Sequence, residues 1–144
     1  MSETNAVAEW LYTTLKAGTA LCAYIGGTAN PRIFEDFCPG TVTTRPCVIF
    51  QMVDAADVMA VGGNRATTDQ EWFVYAVAAA ETYNAVAPIA DAIDTLLHDK
   101  QGTATVNGAT LICTRSESMR YTTIEEGKVW KYMGGYYHIF AGST

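Results

Sequence analysis

The sequence predicts an α+β fold, a mostly antiparallel sheet of four to five strands with two helices packed on it. Three observations predict it. Two segments, 4–17 and 81–100, carry apolar residues at helical spacing. Three others, 46–53, 70–79 and 128–142, are β-branched and aromatic. An Asn107-Gly108 pair sits between short β-prone runs, the strongest hairpin signal in the chain.

The first helix is expected over "TNAVAEWLYTTLKA" (4–17). Val7, Trp10, Leu11, Thr14 and Leu15 share one face. Thr4 or Asn5 would cap it and Gly18 would stop it. Turns are expected at Gly26-Gly27 and Asn30-Pro31, followed by a short edge strand, "RIF" (32–34). "PCVIFQMV" (46–53) reads as a strand, with Val48, Phe50 and Met52 on one side and Cys47, Ile49 and Gln51 on the other. Residues 54–69 read as its frayed end, a loop and the return. "QEWFVYAVAA" (70–79) is apolar on both faces, which predicts a central strand covered on both sides.

The second helix is expected within 81–100. Its stripe is Val86, Ile89, Ala90, Ile93, Leu96 and Leu97. Pro88 fits only a first turn, so the regular helix should start near Ala87 after a looser turn. Asp91 and Asp94 fall off the stripe and are expected on a wet face. After the Asn107-Gly108 hairpin the strand runs on through "TRSESMRYT", and "EEG" (125–127) turns into the last, aromatic strand. Gly134-Gly135 reads there as a bulge. No repeat or linker divides the chain, so residues 1–144 are expected to form one domain.

Composition narrows the function. The chain has 144 residues, net charge −6 and pI near 4.7, which disfavours binding through phosphate contacts. No apolar run is long enough for a membrane span, and "MSETNAVAEW" lacks the basic and apolar regions of a signal peptide. Cys22, Cys38, Cys47 and Cys113 form no C-x-x-C pair, so they read as small buried hydrophobes of a reduced compartment. His98 and His138 are far apart in sequence, and no nucleophile, zinc or phosphate-loop motif is present. Glu35-Asp36 and Glu125-Glu126 are neighbours that point apart, solvated turn residues rather than an acid–base pair. The residues offer no enzyme, and no cofactor or metal is expected. They offer a scaffold with a long polar segment, 54–69, as a candidate assembly arm. Its candidate residues are Met59, Val61, Asn64, Arg65, Thr67 and Asp69, with Arg65 at the tip.

The order of segments resembles the tail-completion proteins of tailed bacteriophages, in the tail-terminator and neck group. The resemblance rests on the helix "VAEWLYTTLKA", the pair "IGG", the segment "NPRIF" and the strand "RPCVIFQMV". It continues through "QEWFVYAVAAAETYNAVAPIADAIDTLL", "TRSESMRYT" and the aromatic last strand. Pro88 departs from the usual family helix. The resemblance implies a structural virion protein of the tail or neck, assembled in the host cytoplasm. It implies a ring, commonly of six subunits, on the head-proximal end of the tail tube. Such a ring ends tube polymerisation and meets the head–tail connector. DNA passes through its lumen without specific binding. The partners implied are further copies of the chain, the tail tube protein and the connector or stopper protein. A head-side stopper or adaptor, and a small ligand-binding α+β domain, are the alternatives.

Overall fold

Six strands share one sheet in the computed structural model, which describes residues 3–39, 46–59, 65–104 and 109–142. The strands are β1 (Ile33–Glu35), β2 (Cys47–Met59), β3 (Arg65–Ala79), β4 (Lys100–Thr103), β5 (Thr110–Glu125) and β6 (Lys128–Gly142). Their spatial order is β1-β2-β3-β6-β5-β4. Every pairing is antiparallel except β1 with β2. Three helices, α1 (Glu3–Ala17), α2 (Thr19–Tyr24) and α3 (Ala87–Leu97), complete the fold with a 3-10 turn at Tyr83–Ala85. The class is the expected α+β one, with more strands and one more helix than the sequence pattern predicts.

The helical stripes become the core of one layer. α1 buries Ala6, Val7, Leu11 and Leu15, and α3 buries Ile89, Ala90, Ile93 and Leu97. They close over Val48, Phe50, Trp72, Val74, Ala76 and Ile139 of the sheet. Each large side chain buried this way contributes ~1.5–3 kcal/mol. Pro88 lies in the first turn of α3, and the 3-10 turn supplies the looser entry. α1 is already under way at Glu3, so Thr4 and Asn5 lie inside it rather than capping it. Gly18 does end α1. A Cβ there would collide with Leu96, so the glycine also admits α3. It then precedes α2, too short to show a period in sequence.

Two strands are longer than their apolar runs. β2 continues through "DAADVM" to Met59, and β3 starts at Arg65. Segment 54–69 is therefore mostly paired strand, with Asp54↔Glu71 through Val58↔Thr67 in register and Met59 opposite Arg65. Val53 is the extra residue where the register shifts. The turn residues Asn107 and Gly108 lie outside the described residues. Their flanks pair as a hairpin, Thr103↔Thr110, with the Ala104 N–H donating to the Ala109 carbonyl at 2.8 Å. Glu126 and Gly127 make the β5–β6 turn with φ of 51° and 77°.

Gly134-Gly135 is not a bulge. β6 keeps register through both residues on both sides, and the shift in that half of the sheet lies in β5 between Arg115 and Glu117. Space explains the pair instead. A Cβ at Gly134 would run into the Val74 carbonyl and the Tyr75 Cα, and one at Gly135 would stand 2.9 Å from Arg115 Cδ. Asp94 is likewise not simply on a wet face. The half-buried carboxylate accepts the Tyr137 hydroxyl at 3.1 Å and lies 3.4 Å from the Arg115 guanidinium, tying α3 to β5 and β6.

Two stability measurements check these assignments. Gly134→Ala should lower unfolding stability by ~1–3 kcal/mol in urea melts, because backbone must move to admit the methyl. Tyr137→Phe should cost ~1–2 kcal/mol, since it removes one hydrogen bond to a charged group. A glycine substitution without effect would contradict the close β3–β6 approach.

Candidate functional site

The candidate arm residues divide by strand position. Met59 and Arg65 face each other as the last described pair before the β2–β3 connection. Val61 and Asn64 lie outside the described residues. Thr67 is held between Val58 and Gly142, and Asp69 between Ala56 and Phe140. Asp69 is also half-buried, its Oδ1 3.2 Å from His138 Nδ1. Thr67 and Asp69 are thus integral to a wider sheet, because β6 accompanies β3 as far as Thr67. The arm is an edge more than a free-standing loop.

That edge is β2. Its first residues, Cys47 to Phe50, are buried, and from Met52 to Met59 every residue is exposed. Met52, Val53, Val58 and Met59 are between 42% and 56% exposed, a run of large apolar side chains in water. β1 covers β2 only as far as Phe50. Beyond it, among the described residues, no strand pairs with the outer side of β2. The opposite side of the sheet repeats the situation. β4 covers β5 from Thr110 to Cys113, and from Thr114 to Glu125 no described strand lies outside it. Tyr121 and Ile124 are the large exposed apolar residues on that stretch. The sequence reading marks 54–69 as a loop-bearing arm rather than a strand edge, and it does not mark the exposed stretch of β5, whose signal is a long strand beside a short one.

Charge differs between the two edges. The β2 stretch carries Asp54 and Asp57 and no cation. Asp54 lies in one row with Glu71 and His138 on the helix-free face. The β5 stretch carries Arg115 and Arg120 with Glu117 and Glu125. The Arg120 guanidinium carbon and the Lys131 Nζ each lie 4.8 Å from the Tyr83 ring centre. Thr122 Oγ1 is 2.9 Å from both the Tyr83 hydroxyl and Lys131 Nζ. These contacts hold two cations on the helix side of β5 and β6.

The helix-free face is aromatic. Phe73 stacks on Tyr75 at 4.4 Å and on Tyr136 at 4.8 Å, and Tyr121 stacks on Tyr132 at 4.4 Å. Burial pushes the Tyr75 hydroxyl well above its ordinary pKa, with nearby Tyr121 and Tyr132 adding to it. A shallow groove of about 350 Å³ opens beside Phe37, Cys38, Ile49, Trp130 and Tyr132. The thiols are structural in character. Cys22, Cys47 and Cys113 are buried, and burial raises the Cys113 pKa to about 12, so it carries no thiolate at neutral pH. Among the described residues, no three His, Cys, Asp or Glu side chains converge as a metal site. No described helix is long and apolar enough to cross a membrane.

Known proteins place this architecture. A chain from the virion of a native gene transfer agent particle superposes with a TM-score of 0.67, covering 92% of each chain at 13% identity. At that identity the likeness is one of fold. No curated protein matches the sequence. The family model described as "Tail completion protein gp17" matches residues 9–131. The chain belongs to that family, and is a structural protein of the phage virion, of its tail or neck.

Proposed function

We propose that the protein forms a ring at the head-proximal end of the phage tail tube, ends tube polymerisation there and joins the tail to the head connector. The observation that carries this reading is a pair of edges that no described strand covers. β2 past Phe50 and β5 past Cys113 stand on opposite sides of one sheet and differ in sequence. An uncovered strand edge is a row of unpaired backbone donors and acceptors, a template for another chain. Two unlike edges on opposite sides suit a head-to-tail contact, and such contacts close into rings when the rotation permits. Six subunits is the number the resemblance implies.

The remaining parts of the reading follow from family membership and charge. The tail tube protein and the head-side connector are the partners, one on each side of the ring. DNA crosses the lumen without specific binding. A chain of net charge −6 supports this, since like charge prevents tight phosphate contacts. Assembly takes place in the host cytoplasm and the product remains in the virion.

Electron microscopy of the purified protein, with and without tail tubes, tests the reading. Rings, and tubes capped at one end, are expected. A chain that stays monomeric at every concentration and never caps a tube would overturn it. Val58→Glu with Met59→Glu should leave the subunit folded, because both side chains are exposed, and should lower ring yield at least tenfold by size-exclusion chromatography with light scattering.

A further inference from the structure

Resting on the ring reading, we infer that the two edges are each other's partners, β5 of one copy pairing with β2 of the next in a single register. The direction of pairing follows from topology. The four long strands lie in the order β2-β3-β6-β5, and each is antiparallel to its neighbour. Copies related by rotation about a ring axis repeat that order. The β5 of one copy and the β2 of the next therefore run antiparallel. Neither stretch, 52–59 nor 114–125, contains a proline, so no outward-pointing N–H is missing from the new ladder.

The faces then restrict the register. A continuous sheet keeps helix-side residues beside helix-side residues. Asp57 pairs with Thr68, which lines up with Ala141 of β6, a residue of the helix-side core. Arg120 pairs with Met133, packed against the same core. Asp57 and Arg120 are therefore on the same face, while Val58 and Met119 are on the other. A slip of one residue would put every side chain on the wrong side. Only even slips remain.

Among the nearest even registers one sets opposite charges across the ladder. It sets Asp57 opposite Arg120, Val58 opposite Met119 and Ala56 opposite Tyr121. Acid meets base on the helix side, and on the other the exposed Val58 meets the half-buried Met119 and the exposed Ala56 meets Tyr121. The register two residues one way puts Asp54 opposite Glu125. Two residues the other way puts Val58 opposite Glu117 and moves Arg120 to Ala55. Like charges directly across a ladder destabilise it. The favoured register also staggers the copies. In the frame of β3, Asp57 aligns with Thr68 and Arg120 with Ala76, eight residues further along. That is ~26 Å of offset per subunit, and a sheet closes on itself only with such a stagger.

Charge exchange and cross-linking test the pairing. Arg120→Asp and Asp57→Arg should each raise the concentration needed for assembly about tenfold, and the double variant should return it to within threefold of the parent. Thermal melting of the monomers separates an assembly defect from a folding defect. Independently, Val58→Cys and Met119→Cys chains mixed under oxidised glutathione should give disulfide-linked dimers, absent from either variant alone. Within one subunit these positions lie three strands and eight residues apart, roughly 30 Å, too far to bridge. A parent chain that assembles while the mixed variants never cross-link, or while Arg120→Asp assembles normally, would overturn the edge pairing alone. A parent chain that never assembles would overturn it together with the ring.

Discussion

The fold is organised around a strand stretch without a solvent face. From Trp72 to Ala78 every residue of β3 is buried. Such a strand is stable only if both sides of the sheet are covered, and the two sides solve this differently. On one, α1 and α3 lay aliphatic stripes across Trp72, Val74, Ala76 and Ala78. On the other no described helix is present, and the sheet covers itself. Phe73, Tyr75, Tyr132 and Tyr136 lean along it in stacked and tilted pairs. Rings are large enough to bury their neighbours, and each favourable pair adds ~0.5–1.5 kcal/mol beyond area.

Self-coverage by rings requires room at the backbone. Gly134 provides it, since it stands opposite Tyr75 and has no Cβ to meet that residue. The glycine pair and the aromatic face are thus one device. Tyr137 makes the reciprocal connection on the helix side, where its hydroxyl meets Asp94. That contact, with Arg115 beside it, fixes the height of α3 above β5 and β6. The same helix side of β5 carries Arg120, so the layer that buries the core also positions a charge at the sheet's edge.

Much of this is legible in sequence, and the parts that are not share a cause. The stripes of α1 and α3, the start of α3 near Pro88 and the two-sided burial of 70–79 are all local patterns, and all are present. The strand character of "DAADVM" is not local. Small and acidic residues carry no β signal, and these are strand because Thr67 to Glu71 pair with them. Gly134-Gly135 has the local signature of a bulge, and only the position of Val74 and Tyr75 decides otherwise. Asp94 lies off the stripe, as its spacing says, but a tyrosine long enough to reach it comes from a distant strand. For the candidate site, Met59 and Arg65 are identifiable as flanks of the arm. The exposed stretch of β5 is invisible until β4 proves short.

An uncovered edge must be kept from pairing with the wrong edge, and charge is a common means. The exposed part of β2 carries two aspartates and no cation, so β2 against β2 would bring like charges together. β5 presents Arg120, held over Tyr83 at the middle of its uncovered stretch. A cross-strand charge pair contributes only ~0.2–1 kcal/mol. It is therefore too weak to drive assembly and strong enough to discriminate. In the proposed assembly the driving force comes from backbone pairing and from apolar side chains such as Val58 and Met59, which are exposed in the single chain. Affinity and specificity are then separable on this edge. In the proposed ring, apolar residues set how strongly copies associate, and Asp57 with Arg120 sets which edges meet and in which register. A β2–β2 contact would join two copies isologously and stop there, whereas the unlike pairing leaves one edge available at each end until a ring closes.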